Sequence, residues 1–331
     1  MHLEDVVLDR TKHTSISRVI LGYFFMYCIL TLHITENVSA SDSIPVKFKF
    51  EKVFFLDIAK KNKHLLCVGE RGLIFRSKDE GQSWQSIQLH NEATLTSVVF
   101  VNDTAYVVGH RGSLYRSNDW GKSFSKINLT SLLPDDTLLR IKLISKDHIV
   151  VVGAWGLFLE SIDGGKNWKK QKIISEEFDW HLYDAIKTPS GIIAVGEAGT
   201  IIFRKDGVKT WNKINPSYTG SFFGILKEKN KSFFLYGMRG KIFNIVLSET
   251  IYTSKKINLK KLETYSNSTW MSGLTLKNKS HLFFGDGGLV GKKNKGFELT
   301  NVPLNSVNAG VELSNGFVFL VGLNGGFMFE Q

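Results

Sequence analysis

From residue 53 to the end of the chain, short apolar runs of four to seven residues alternate with clusters of Gly, Asn, Asp and Ser. Runs of that length, rich in Val, Ile, Phe and Leu and bounded by turn formers, predict β-strands. No long apolar period of 3.6 residues competes with them. The second such unit shows the pattern well. Leu95–Val101 and Ala105–Val108 read as two strands, Ser113–Arg116 as a third after a glycine turn, and Ser123–Leu129 as a fourth.

The pattern repeats. A Gly-x-x-Gly string preceded by an apolar run begins at Gly69, Gly109, Gly153, Gly196, Gly237, Gly285 and Gly322, in steps of 40, 44, 43, 41, 48 and 37 residues. Both glycines are expected to supply the positive φ of a tight hairpin between the second and third strands. The next turn carries a second motif. Ser77, Asp79, Gly81, Ser83 and Trp84 are repeated as Ser117, Asp119, Gly121, Ser123 and Phe124, and again as Ser161, Asp163, Gly165 and Trp168. The fourth unit keeps only Asp206, Thr210 and Trp211, with Gly207 displaced by one position. This is the Asp-box. Its aspartate is expected to bond the amides of its own turn while its aromatic packs between neighbouring sheets, so Asp79, Asp119, Asp163 and Asp206 are assigned to folding and not to acid catalysis.

Four-stranded units of about 42 residues repeated radially predict an all-β fold, a seven-bladed β-propeller of antiparallel blades. The seventh unit (Asn308–Leu313, Gly316–Val321, Gly326–Glu330) stops one strand short, and an alternating segment, Pro45–Phe50, precedes Val53–Ile58 of the first. That segment is expected to complete the last blade and hide both edges.

Composition adds location to this picture. Lys and Arg number 42 against 31 Asp and Glu, a net charge of +11, with 30 Gly, 5 Pro and 2 Cys. Two cysteines exclude a disulfide framework. Arg10, Lys12 and Arg18 precede an apolar stretch, Val19–Leu32, too short to span a bilayer comfortably, and Val38-Ser39-Ala40 has the small-x-small form of a signal-peptidase site. Residues 1–40 are therefore read as a secretory signal, with an uncleaved anchor at 19–32 as the alternative, and residues 41–331 as one propeller. The expected location is the periplasm or another exported compartment. Cys67, between Leu66 and Val68, reads as a core residue.

The strings VGERGLIFRSKDEGQSW, VGHRGSLYRSNDWGKSF, VGAWGLFLESIDGGKNW and VGEAGTIIFRKDGVKTW resemble blades of the photosystem II stability/assembly-factor-like propellers, within the BNR/Asp-box group. The resemblance is strongest over the first four blades. It implies an exported scaffold that helps assemble a membrane protein complex, with the thylakoid lumen as its location in a photosynthetic organism. It also implies an arginine patch on one face as the partner-binding surface.

Alternation of turns places the Gly-x-x-Gly hairpins and the inter-blade connections on one face and the Asp-boxes on the other. The third residue of each glycine string should then ring the channel mouth: Arg71, Arg111, Trp155, Ala198, Arg239, Gly287 and Asn324. Arginine and tryptophan are enriched at binding hot spots, which makes Arg71, Arg111, Arg239 and Trp155 the candidate docking residues. Arg76 and Arg116, further along the third strands, are grouped with them, either extending that patch or pointing sideways between blades. Two connections stand out: Glu176, Glu177, Asp179, Trp180, His181, Tyr183 and Asp184 before the fourth blade, and a long segment around Ser248–Ser272 with Lys255, Lys256, Lys260, Lys261 and Trp270, read as a solvated surface.

A sialidase-like glycosidase is the enzymatic alternative, because those enzymes also carry Asp-boxes. It fits poorly: the Phe/Tyr-Arg-Ile-Pro motif is missing, and seven repeats exceed the six blades of such enzymes. No HExxH, Gly-x-Ser-x-Gly or phosphate loop occurs, and the nine histidines lack ligand spacing. No cofactor, metal or small-molecule substrate is expected, and dispersed lysines without stacking aromatics argue against nucleic acid. The expected partner is an acidic segment of a membrane or envelope protein complex, bound by a monomer.

Overall fold

In the computed structural model, which describes residues 49–171, 173, 178–247 and 257–331, each repeat forms its own antiparallel sheet. Blade 1 consists of β1 (Phe55–Lys61), β2 (His64–Gly69), β3 (Leu73–Ser77) and β4 (Gln85–Gln88), hydrogen-bonded in sequence order. Blades 2 to 6 repeat this order. Blade 7 has three strands among the described residues, Ser306–Glu312, Val318–Leu323 and Gly325–Phe329. The expected strand positions hold to within a few residues, except that fourth strands are short, as with Ser125–Lys126 in blade 2.

The first strands form the inner ring. Each contacts the first strand of the next blade, and β1 contacts Ser306–Glu312, so the seven sheets close into a circle. Polar side chains stitch that ring together. The Asp57 carboxylate accepts hydrogen bonds from Ser97 Oγ at 2.6 Å and the Val98 amide at 3.1 Å in blade 2. Asp184 accepts from the Ile225 amide of blade 5 at 3.2 Å, and Asn308 Nδ2 of blade 7 donates to the Phe55 carbonyl at 2.7 Å. Arg140 lies 3.5 Å from Asp57, and Lys142 lies 3.2 Å from Asp184. Buried carboxylates are tolerated here because each has a cation and an amide to satisfy it.

Apolar side chains fill the gaps between blades. Cys67 is fully buried among Phe55, Leu65, Leu73 and Phe75, and burial pushes its thiol up. The Asp-box aromatics sit against the preceding blade: Trp84 lies 5.4 Å from Phe319 of blade 7, Trp168 lies 5.9 Å from Tyr106, and Trp211 lies 4.9 Å from Phe158. Phe124 packs against a cluster that joins residues of blade 1, such as Leu66 and Ile74, to residues of blade 2, such as Val98 and Phe100.

The closing strand expected at Pro45–Phe50 lies outside the described residues apart from its last two. The next residues run beside the outer strand of blade 7: Phe50 stacks on Trp84 at 4.7 Å, and the Gly325 amide donates to the Val53 carbonyl at 3.0 Å. The expected leader, residues 1–40, and Glu176, Glu177, Lys255 and Lys256 also lie outside the described residues. Two readings of the long connection after blade 5 are corrected. Lys260–Lys261 is the fourth strand of that blade, and Trp270 is fully buried at the start of the first strand of blade 6.

Candidate functional site

The Gly-x-x-Gly turn is built differently from the sequence expectation. Gly69 is extended, with φ −170°, so it supplies no positive φ. It is glycine because a Cβ there would collide with the carbonyl oxygen of Phe54, and the first glycine of every blade faces its own first strand in the same way. The left-handed pair is instead the third and fourth residues of the string. Arg71 has φ 56° and Gly72 φ 67°, and the pair recurs in all seven blades. Left-handed backbone costs a residue with a Cβ roughly 1–2 kcal/mol. Arg71, Arg111, Trp155, Ala198 and Arg239 nonetheless occupy it, and all seven ring positions are exposed.

These turns join second strands to third strands, and the inner ring is made by first strands. The ring of turns therefore lies outward of the central axis, not at its mouth as expected. On this face each inner-ring strand begins with a β-bulge, at Leu56, Thr96, Leu139, Tyr183, Phe223, Met271 and Asn308. A bulge re-aims one side chain out of the pleat. Apart from Tyr183, sequence reasoning did not single these residues out. Their signal is a fixed offset, thirteen or fourteen positions before the first glycine of their own blade.

Two ring arginines stand beside grooves. Arg111 borders one of about 470 Å³ with Lys126, Asn91, Leu129, Leu132 and the exposed Leu133. Arg239 borders another of about 210 Å³ with Lys241, Lys261, Glu263 and the exposed Tyr265. In blades 2, 3 and 5 the second glycine of the string fastens its turn to the adjoining connection, Gly112 N–H donating to the Asp136 carbonyl at 2.7 Å, Gly156 N–H to the Trp180 carbonyl at 3.0 Å and Gly240 N–H to the Ser268 carbonyl at 2.9 Å.

Arg76 and Arg116 do not join this surface. β3 runs from the glycine turn to the Asp-box, so Arg76 lies at the far end of its strand, and Arg116 has the equivalent place in blade 2. Arg76 is only 6% exposed and donates from Nε to the Trp120 carbonyl of the next blade at 2.7 Å. Arg116 is half-buried beside Tyr106. Both point sideways between blades.

On the opposite face the Asp-boxes have the expected chemistry in three blades. Asp79 accepts from the Ser83 amide at 2.8 Å and from its hydroxyl, while Ser77 Oγ takes the Gly81 amide at 2.8 Å. Bonds from Ser83 hold the Asp79 carboxyl down at about 2, and bonds from Asn167 do the same for Asp163. Burial acts to raise Asp119, but Ser123 and Ser117 keep it below the usual range. In the fourth blade the Asp206 carboxylate goes to Lys187 at 2.6 Å instead.

Solved propellers superpose well: YCF48 from Cyanidioschyzon merolae (TM-score 0.67, 18% identity, covering 84% of this chain and 96% of that one) and YCF48 bound to D1 peptide (0.68, 19%, 88% and 96%). The WD40 β-propeller domain of Doa1 superposes equally well (0.67, 13%, 87% and 96%), so these likenesses establish the fold alone. No curated protein sequence matches the chain. The family model for photosystem II assembly factor YCF48 decides the matter, matching residues 36–139 and 130–243. The chain belongs to the YCF48 family. In this YCF48-type propeller, the matched residues include ring positions Arg71, Arg111, Trp155, Ala198 and Arg239.

Proposed function

We propose that this YCF48-family protein is an exported, non-enzymatic scaffold that holds an acidic segment of a membrane protein during assembly of a photosystem-type complex. Residues 1–40 serve as its leader, cleaved after Ala40, and deliver the propeller to the periplasm or thylakoid lumen. The described residues include no helix long and apolar enough to cross a membrane. The folded monomer docks its client on the Gly-x-x-Gly face through Arg71, Arg111 and Arg239, with Trp155 beside them. A family member bound to D1 peptide supports a peptide segment as the kind of client.

One observation carries this reading. Three arginines stand on exposed left-handed backbone, where glycine would fold at lower cost. Strain retained at exposed positions argues for a use outside folding. Guanidinium groups offer forked, permanently charged donors that suit carboxylates. The test is recovery of membrane proteins from detergent-solubilised envelope, with wild-type protein or the triple variant Arg71→Glu/Arg111→Glu/Arg239→Glu as bait. Wild type retains a specific membrane client; the folded triple variant loses at least about 100-fold of it, since hot-spot arginines are worth about 2 kcal/mol or more apiece. Undiminished recovery by the folded variant rejects the docking face.

A further inference from the structure

The sector of this face between blades 3 and 4 has a chemistry unlike that of the arginines. Trp155 is 71% exposed on left-handed backbone, with φ 56°. Its indole meets the His181 imidazole edge to face at 4.7 Å, and its amide donates to His181 Nδ1 at 3.2 Å. His181 in turn lies 6.3 Å from the Tyr183 ring, which lies 5.1 Å from Phe223 at the bulge of blade 5. The strip thus runs from an exposed turn towards the central axis.

A carboxylate accompanies it. Glu197, from the glycine turn of blade 4, accepts the His181 amide at 3.2 Å, and its Oε2 lies 3.8 Å from His181 Nδ1. Burial first, and then the charge of Glu197, push the Tyr183 phenol up. Asp179 and Trp180, on the same connection, are also exposed.

An exposed indole and a half-buried phenol beside a carboxylate form a receptor for a cation: the ring faces attract it through their quadrupoles, and the carboxylate pairs with it. A purely apolar occupant would strip water from Glu197 without replacing it, which is costly. We propose that this sector binds a basic side chain, lysine or arginine, of the same client segment whose acidic residues meet Arg71, Arg111 and Arg239. The inference rests on that docking reading and extends it: the client segment is of mixed charge, and the order of its charges sets its direction across the face.

The test uses the full-length chain and two fluorescent peptides with identical glutamate-rich flanks, one with a central Arg-Arg pair and one with a central Gln-Gln pair, compared by anisotropy at 0.15 M salt. Long-range charge favours the Gln-Gln probe on this basic protein, so a preference for Arg-Arg reports local contacts. Wild type is expected to bind the Arg-Arg probe about five- to tenfold more tightly. Glu197→Gln abolishes the preference and keeps the Gln-Gln affinity, Trp155→Ala abolishes the preference, Trp155→Phe keeps part of it, and the Arg71/Arg111/Arg239 charge reversal weakens both probes. Equal affinities in wild type, or a preference that survives Trp155→Ala and Glu197→Gln, overturn the inference and leave the arginine docking reading standing. Binding of the Arg-Arg probe alone, through Trp155, would overturn the arginine reading and keep this one. Binding of neither probe overturns both.

Discussion

Glu160→Ala is expected to destabilise the propeller by about 3–5 kcal/mol, because it strands a buried cation. Glu160 is 8% exposed in the third strand of blade 3, and Arg204 reaches it from the equivalent strand of blade 4. Arg204 donates to both carboxylate oxygens, Nη1 at 2.9 Å, while His148 Nε2 lies at 2.6 Å and Gln171 Nε2 donates at 3.1 Å. The guanidinium also lies 5.0 Å from the Trp211 ring, so the ion pair packs against the Asp-box tryptophan of blade 4. Burial alone would raise the Glu160 carboxyl, but the bonds from His148 and Arg204 hold it down at about 2. A lowered folded value means stability that is complete above the unfolded value near 4.5 and lost as pH falls from there towards 2. Thermal melts of Glu160→Ala at pH 7 should therefore show a midpoint lower by roughly 10 °C, with a flatter pH dependence below 4.5 than wild type. Glu160→Leu/Arg204→Leu should recover much of the loss, since it removes the stranded charge along with its partner. A loss under about 1 kcal/mol for Glu160→Ala would show that the pair does not fasten blades 3 and 4.

Replacing the ring arginines by glycine separates binding from folding more sharply than charge reversal does. Arg71, Arg111 and Arg239 have φ of 56°, 56° and 54°, and Gly287 fills the equivalent place in blade 6 with φ 68°. Glycine adopts that conformation without the Cβ penalty, although it gives back part of the gain through a more flexible unfolded chain. The triple Arg→Gly variant is thus expected to melt at or above the wild-type temperature. Its client affinity should fall about 100-fold or more, with the remaining binding less sensitive to salt, since exposed ion pairs are screened within about 8 Å at physiological ionic strength. A variant that melts lower and binds normally would mean that the arginines serve the turn and not a partner.

The blade count and strand order were legible in the sequence because a propeller repeats one solution seven times, and the Gly-x-x-Gly strings mark its period. The physical role of those glycines was only half legible. Gly69 and Gly72 look alike in a sequence, yet one avoids a collision with the Phe54 carbonyl while the other supplies a left-handed backbone. The destination of Arg76 was hidden for a related reason: which end of β3 it occupies follows from strand direction, but its bond to the Trp120 carbonyl depends on how two blades meet. Trp270 misled because a large aromatic after a lysine-rich stretch looks exposed, whereas here it opens an inner strand. The aromatic strip from Trp155 to Phe223 draws on three blades, and no local motif encodes it.

The central claim is that the Gly-x-x-Gly face, and not the Asp-box face, meets the client. Ala198 sits exposed in the ring at φ 50°, and Ile162 is 76% exposed in the Asp-box turn of blade 3 on the opposite side. Neither is one of the docking arginines, so a photo-crosslinking amino acid at either position leaves those side chains in place. Irradiation in envelope extract should crosslink the client from position 198 and not from position 162. Crosslinking from position 162 alone would contradict the account.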